Sequence, residues 1–429
     1  MHIELINTGS ELLLGRVLNT HQQWIGRRLA DLGYEIARQV AVPDTGDAIQ
    51  QAVAESCEGA DLIITTGGLG PTSDDRTRDL IADWLGVPLR EDDAVVRHIE
   101  GFFQRRGRSM PESVKVQALI PEGAVVIENQ YGTAPGLILN LAAVRDGASA
   151  TTLVMLPGPP RELRPMFDRQ VIPWLQEHVL PKLGFACRTL RSTGIGESRV
   201  EEELKDRLAP LVEKGLEIGY CARTGEVDVR LVARGSEAMD LVAQGEALLL
   251  ETFGQSIYGS DDATLEEILV KSMAADHETL ALAESCTGGL LAHRMTNIPG
   301  ASSVLLAGLV TYSNEAKTQV LGVRPETLAE HGAVSKATAK EMAEGARRVT
   351  GADYALSITG IAGPGGGSEE KPVGTVFIGL AREGGTIVVK QFNPVERESF
   401  KYMTSQQAFE MLRRTRLKRR SGEPNSATP

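Results

Sequence analysis

No run of about 18 apolar residues occurs anywhere in the chain, so no segment is expected to cross a membrane as a helix. Nor does a basic stretch followed by a long apolar core open it. Residues 1–8 (MHIELINT) pass straight into strand-like sequence, and a secretory signal is not expected. Cysteine is scarce: Cys57, Cys187, Cys221 and Cys286 are scattered, without a C-x-x-C pair. That usage fits a reducing cytoplasm and argues against a structural zinc site. Positive charge is in deficit, with 45 Lys and Arg against 57 Asp and Glu and a net charge of −12. A cationic face able to grip a phosphate backbone is therefore not expected, nor is direct nucleic-acid binding. What is present is globular in composition, 42% hydrophobic and 24% charged over 429 residues. At roughly 150 residues per domain, that length suggests two or three domains.

The segment Asp61–Asp79 organises the first of them. Leu62–Thr66 is a short apolar, β-branched run of the kind that forms a buried parallel strand. It breaks into Gly67, Gly68 and Gly70, where the missing Cβ allows a sharp turn and a close approach to a ligand. Thr72, Ser73 and Asp74 are candidate caps for a helix running to about Leu85. Strand, glycine turn and helix start together predict an anion site. Asp75 and Asp79 on the same segment, with Asp44 from a neighbouring strand end, add negative charge beside it. Carboxylates repel phosphate unless a divalent cation lies between them, so the expectation is a metal-bridged phosphate ester. The plainer alternative is an acidic first turn that complements the helix dipole.

The surrounding pattern alternates strand and helix: Ile3–Thr8, Asn19–Leu32, Tyr34–Val42, then a helix from about Asp47 to Cys57. It calls for a parallel sheet with helices on both faces, whose ligands sit beyond the carboxyl ends of the strands. Two more shaped loops follow strands, Asn129–Gly136 (NQYGTAPG) and Leu156–Glu162 (LPGPPRE). From about Val171 the texture changes to a small α+β unit with no cluster of catalytic residue types. Ser260–Thr264 reads as a short polar linker, so a fragment beginning near Ser260 is expected to fold alone.

Beyond it, Ser285 follows the strand Thr279–Ala283 and precedes Gly288 and Gly289, where backbone N–H groups around Thr287–Gly289 could receive an oxyanion. A serine hydroxyl needs a base, and no histidine lies in a nearby motif. Lys317 offers an amine instead, provided burial depresses its pKa; Tyr312 could relay a proton. The bland readings are that Ser285 is a helix cap and Lys317 a solvated surface residue. Cys286 is a rival nucleophile. A C-terminal helix is expected over about Glu398–Arg414, with the basic run Arg413–Arg420 solvated.

Gly67–Asp75 (GGLGPTSDD), Gly132–Gly136 (GTAPG) and Leu156–Pro160 (LPGPP) resemble the N-terminal half of the CinA family, itself similar to the molybdopterin-binding fold of the MogA and MoaB proteins. Ala283–Gly289 (AESCTGG), Tyr312–Lys317 (YSNEAK) and Thr359–Pro364 (TGIAGP) resemble that family's C-terminal domain, and Gly194–Ser198 (GIGES) its KH-type middle. The resemblance spans roughly residues 1–412. It implies an α/β protein with a parallel-sheet, three-layer MoaB/MogA-like domain over 1–170 and a small α+β KH-like domain over 171–259. An α/β CinA domain over 263–415 completes it, and the polar tail over 416–429 is expected from its composition to be disordered. The middle domain has an acidic Glu197 where RNA-gripping KH domains carry a basic GxxG loop, and is expected to act as a spacer or dimer element in a homodimer.

The activity implied is bifunctional. The C-terminal site would hydrolyse nicotinamide mononucleotide to nicotinic acid mononucleotide and ammonia without a cofactor, using Ser285 and Lys317 with Tyr312. Thr287, Gly288, Gly289, Thr359, Gly360, Gly363 and Arg397 would contact its substrate. The N-terminal site would split ADP-ribose with magnesium, manganese or cobalt on Asp44, Asp75 and Asp79. Gly67, Gly68, Gly70, Thr72, Asn129, Gly132, Thr133, Pro157 and Gly158 would line it. This sequence departs from the family pattern at Arg76, where an aliphatic residue is usual, and at Asp79, where Glu is common. Lys401 stands where a second Arg usually follows Arg397, which keeps the charge and loses the bidentate fork. Two other readings stay open: a molybdopterin-binding protein, and a non-catalytic accessory to DNA uptake or repair.

Overall fold

A computed structural model describes residues 1–144, 150–180 and 184–421. The chain divides between Phe185 and Ala186 into two compact units. Among the described residues no helix is long and apolar enough to cross a membrane.

In the first unit every residue of β1 (Ile3–Thr8) is buried, as a strand covered on both faces must be. Helix α1 (Thr20–Ala30) follows, with the Asn19 side chain accepting from the Gln22 N–H at its start. Then come β2 (Ile36–Val42), α2 (Gly46–Ser56), β3 (Leu62–Thr66) and α3 (Thr77–Leu85), and later β4 (Val125–Ile127), β5 (Gly136–Asn140), β6 (Thr152–Leu156) and α4 (Pro160–Met166). The strand order is β2-β1-β3-β6-β5-β4. The first four run parallel, β5 pairs antiparallel with β6 and β4 antiparallel with β5, so the sheet is parallel-rich and mixed. Alternation along the strands separates two cores. Ile6, Ile63, Leu153 and Met155 meet Ile49, Val53, Ile81 and Leu85 of α2 and α3. Ile3, Leu5, Leu62, Ile64 and Val154 meet Ile25 and Leu29 of α1 and Leu163 of α4. The result is helix, sheet, helix, with Asn7 level with Thr66 and Thr66 level with Leu156. Thr8, Gly67 and Pro157 therefore leave the sheet at one end.

The second unit begins with β7 (Phe185–Thr193), α5 (Glu197–Val212), β8 (Glu217–Arg223), β9 (Glu226–Arg234), α6 (Ala238–Phe253) and β10 (Ile257–Ser260). They form a four-stranded sheet ordered β8-β9-β7-β10. Helix α5 buries Val200, Leu204, Leu208 and Leu211, one apolar stripe at helical spacing. The chain continues through α7 (Leu265–Ala275), β11 (Leu280–Glu284), α8 (Leu290–Thr296), β12 (Leu305–Val310), α9 (Asn314–Leu321), α10 (Lys336–Thr350), β13 (Tyr354–Gly360), β14 (Thr375–Arg382), β15 (Gly385–Phe392) and α11 (Arg397–Ser421). The strand order here is β12-β11-β13-β14-β15, with β12, β11 and β13 parallel and the rest an antiparallel extension. Leu280, Leu282, Leu356 and Ile358 face α7, α8 and α11, including Phe400, Phe409 and Leu412. On the other face Ala281, Ala283 and Ala355 meet Met342, Ala343 and Ala346 of α10, small residues that let the helix lie close.

Three expectations are corrected. Ser260–Thr264 is not a free linker. Strand β10 pairs with β7, the Asp261 side chain binds Arg188 and the Thr189 N–H, and its carbonyl accepts from Arg191. Tyr258 belongs to the same core as Leu265 and Phe400, so a cut at Ser260 strips a core side chain. Secondly, α11 continues through Ser421, and the segment read as a disordered tail from 416 is helical that far; residues 422–429 lie outside the described residues. Thirdly, the basic run is not simply solvated. Arg416, 5% exposed, binds Asp276, Glu278 and both the hydroxyl and carbonyl of Ser272. Arg413 pairs with Glu410 and donates to the Gln255 carbonyl. The acids that meet this run are Glu410, on the same helix, and Asp276 and Glu278, from the turn after α7, which the sequence does not show beside it.

Candidate functional site

At the carboxyl end of the second unit's sheet, β11 ends at Glu284 and Ser285 follows, its N–H donating to the Ile358 carbonyl at 3.0 Å. Strand β12 delivers Thr311 beside it, the Thr311 N–H donating to the Glu284 carbonyl. The Ser313 hydroxyl accepts from the Ala316 N–H and so starts α9. Lys317 lies one turn in, and helical side chains lean toward the helix start. Its Nζ sits 3.1 Å from Ser285 Oγ, 2.9 Å from the Thr311 carbonyl and 3.3 Å from the Tyr312 carbonyl. Lys317 is 1% exposed. Among the described residues no carboxylate lies within ion-pair distance of it. Burial holds its ammonium below the ordinary lysine range.

That arrangement suits a neutral amine. Its two hydrogens can go to the two carbonyls, leaving the lone pair for the hydroxyl proton of Ser285. Ser285 does not cap α8, whose preceding residue is Gly289, and Lys317 is not on the surface; both bland readings fall to the geometry. Cys286 points the other way, into the core with Leu282 and Leu291, and burial pushes its thiol up to about 12. A thiol that seldom ionises is a poor nucleophile.

Other expected contacts are differently placed. The Tyr312 ring is 62% exposed and its hydroxyl accepts from Arg397 at 3.2 Å, so its side chain does not join Lys317; only its carbonyl does. Arg397 also donates to the Gly363 carbonyl at 2.8 Å, tying the start of α11 to the turn after β13. The Thr359 hydroxyl is spent on the Ala333 carbonyl, and Gly360 lies against Thr375 and Val376. Lys401 is half-buried one turn beyond Arg397 on α11. Of the three amides expected for an oxyanion, those of Gly288 and Gly289 are already bonded, to the Ser285 carbonyl and to Glu284. Glu284 is the residue the sequence reading passed over. It is 1% exposed, and an acid directly before the nucleophile at a strand end is the signal that could have found it.

In the first unit Gly67 (φ 99°) and Gly68 (φ 66°) take left-handed conformations that only glycine adopts cheaply. A Cβ on Gly67 would lie 2.7 Å from the Thr8 carbonyl, and one on Gly68 2.0 Å from the Thr77 hydroxyl. Gly158 packs on Gly67, and its carbonyl meets His21 Nε2 at 2.5 Å. Pro157 is buried behind it and Thr133 is half-buried. Asn129 and Gly132 form a separate group: the Asn129 amide donates to Glu162 and to the Ala134 carbonyl, and the Gly132 carbonyl faces His98. The helix start is also corrected. Helix α3 begins after Arg76, without a side-chain cap, while Thr72 bonds Asp75 through both its N–H and its hydroxyl. The polar side chains of the turn bond one another before the helix begins, which leaves none of Thr72, Ser73 and Asp74 as its cap.

The three expected metal ligands do not gather. Asp44 accepts from the Ser10 N–H, Asp75 turns back to Thr72, and Asp79 takes two N–H groups of buried Arg78 at 2.6 and 2.8 Å. Among the described residues no three Asp, Glu, His or Cys side chains could share an ion. As they are held, these acids do not fit a common cation. Sequence spacing brought them to one end of the sheet, and short-range partners then claimed each one.

Three family models match the chain: a probable molybdopterin binding domain over residues 4–177, the damage-inducible protein CinA KH domain over 187–259, and the CinA C-terminal domain over 262–416. A CinA-like protein of Akkermansia muciniphila is 45% identical over 97% of this chain and 98% of its own length. A competence-damage inducible protein of Moorella thermoacetica is 45% identical over 97% of this chain and 99% of its own. Among solved structures, the competence/damage inducible protein CihA of Agrobacterium tumefaciens is 42% identical over 34% of this chain and 91% of its own, with a TM-score of 0.34.

Proposed function

This chain belongs to the CinA family, and on that footing we propose that its second unit is a nicotinamide-mononucleotide amidohydrolase. The observation that carries the reading is the 3.1 Å contact between Ser285 Oγ and the Nζ of a lysine that is fully buried and unpaired with any described carboxylate. Ser285 Oγ attacks the carboxamide carbon while Lys317 takes its proton. The tetrahedral adduct collapses as Lys317 returns that proton to the departing nitrogen, and ammonia leaves. Water, deprotonated by the same amine, then opens the acyl-serine ester to release nicotinic acid mononucleotide. Arg397, held by the Gly363 carbonyl and the Tyr312 hydroxyl, is the cation assigned to the substrate's phosphate. The direct test is to incubate the protein with nicotinamide mononucleotide and measure ammonia together with the acid product. Neither appearing would end the reading.

The pH dependence has a definite sign. Only the unprotonated amine can act, so kcat/KM should rise with pH and level off at an apparent pKa below the ordinary lysine value. A rate still climbing through pH 10.5 would mean that Lys317 titrates like a solvated lysine and is not the base. Cys286→Ala should leave kcat within about threefold, since loss of a core sulfur acts through packing and not through the chemistry. Loss of activity in that variant with folding intact would move the nucleophile to Cys286.

For the first unit we propose an anionic ester as ligand, with ADP-ribose cleavage as the reaction. The support is the side-chain-free cradle of Gly67, Gly68 and Gly158 at the end of β3 and β6. ADP-ribose turnover measured with and without a chelator separates a metal-dependent pyrophosphatase from simple binding, and molybdopterin in the same panel tests the other ligand its fold suggests.

A further inference from the structure

We infer that the oxyanion formed at Ser285 is received by the backbone N–H groups of Cys286 and Thr287, and that Glu284 is the residue that reserves them for it. The inference rests on the amidohydrolase reading and adds the donors and a positioning residue to it.

The amides around the nucleophile can be accounted for one by one. Ser285 N–H donates to Ile358, Gly288 N–H to the Ser285 carbonyl at 3.1 Å, and Leu290 N–H to the Thr287 carbonyl at 3.3 Å. Gly289 N–H and Leu291 N–H go to Glu284 Oε2 at 3.0 and 3.2 Å, and Ala292 N–H to Glu284 Oε1 at 2.9 Å. Two remain. The Cys286 amide has its own thiol beside it, and the Thr287 amide has no acceptor among the described residues. These are the first and second residues after the nucleophile, and the amide directly after the nucleophile is also a donor in hydrolases that present serine on a strand-to-helix turn.

Burying a carboxylate with no cationic partner is expensive, and three N–H bonds are what make it tolerable here. Glu284 does more than cap a helix. By holding Gly289 and the first turn of α8 against the end of β11, it commits the Gly289 amide, while the Gly288 amide turns back on the Ser285 carbonyl, and the Cys286 and Thr287 amides are left over. As Ser285 Oγ bonds to the carboxamide carbon, the carbonyl π pair moves onto oxygen and Lys317 holds the hydroxyl proton. The Thr287 amide, and the Cys286 amide as it turns from its own thiol, meet the charge that develops on that oxygen. Glu284 touches neither substrate nor proton; it is a positioning residue.

The experiment uses the full-length protein, nicotinamide mononucleotide as substrate, and the corresponding pyridine-3-carbaldehyde mononucleotide, which adds to serine to form a tetrahedral adduct. Glu284→Gln keeps the shape, loses one acceptor and places an NH2 against an N–H. It should lower kcat by about 100-fold or more, the effect of losing one oxyanion donor. Affinity for the aldehyde should fall by the same factor, with KM changed by less than about threefold. Loosened folding would instead weaken ground-state binding as well. A folded Glu284→Gln with kcat near that of the unaltered protein overturns the proposal, as does a parallel loss in KM. Should the variant not fold, the unaltered protein labelled with nitrogen-15 at Cys, Thr and Gly decides the matter. On aldehyde addition the Cys286 and Thr287 amide protons should move downfield. Movement at Gly288 or Gly289 in their place would overturn the assignment. Failure of the underlying reading is distinguishable, because the unaltered protein would then release neither ammonia nor the acid product and the aldehyde would form no adduct.

Discussion

Ser285→Ala and Lys317→Ala are each expected to lower turnover of nicotinamide mononucleotide on the order of 10⁴-fold or more, with the double variant scarcely worse than either single one. Nucleophile and base act as one unit: a serine without its base keeps its proton, and a base without its serine has nothing to activate. Lys317→Arg should be as inactive as the alanine variant, because a guanidinium keeps its charge at any working pH. It would also force a bulkier, permanently charged group into a space where burial already disfavours charge. Ammonia release at saturating substrate is the measurement, with circular dichroism to show that each variant folds. Ser285→Ala retaining a tenth or more of the activity would remove the dyad from the mechanism.

The second large effect concerns stability. Arg416→Ala should destabilise the second unit by about 2 kcal/mol, somewhat below the roughly 3–5 typical when one partner of a wholly buried ion pair is removed. The discount follows from the partners: Asp276 keeps Arg420 and Glu278 keeps Arg419, and both acids reach solvent. Ending the chain after Leu412 removes Arg413 and Arg416 together and should cost more. Scanning calorimetry on the full chain reads the result as a fall in the transition of residues 186–421, with that of residues 1–185 unmoved. An unchanged midpoint in Arg416→Ala would mean that this network contributes nothing net.

How far the sequence reaches is clearest where reading and structure part. Strands such as Leu62–Thr66 and Thr152–Leu156 were legible because burial on both faces favours short, mostly apolar, β-branched runs. Ser285 and Lys317 were legible because two motifs, each at a strand end, needed only one intervening strand and helix to fold them together. For Tyr312 sequence cannot say whether side chain or carbonyl meets Lys317; the carbonyl does, while the hydroxyl is held by Arg397. Glu284 was passed over because its work is on backbone amides, which have no letter in the sequence. The three aspartates failed for a related reason. Each was counted by its charge, while Arg78, Thr72 and the Ser10 amide had already taken them at short range. The Ser260–Thr264 segment looked like a linker on composition alone, although Tyr258, two residues earlier, carries the core across it.

Helix α11 is the last element of the second unit, yet it supplies Phe400, Ala408, Phe409 and Leu412 to the core beneath β11 and β13. Domains fold as units while a chain is being synthesised, N-terminal ones first. Residues 1–185 hold both of their cores and can close while the ribosome is still working downstream. The strand that carries Ser285 has no such freedom. It lies on an unfinished floor until residues 400–421 have emerged, more than a hundred positions after the serine itself. A prematurely stopped product would therefore carry Ser285 and Lys317 without holding them together, so the proposed amidase would be confined to chains translated through α11.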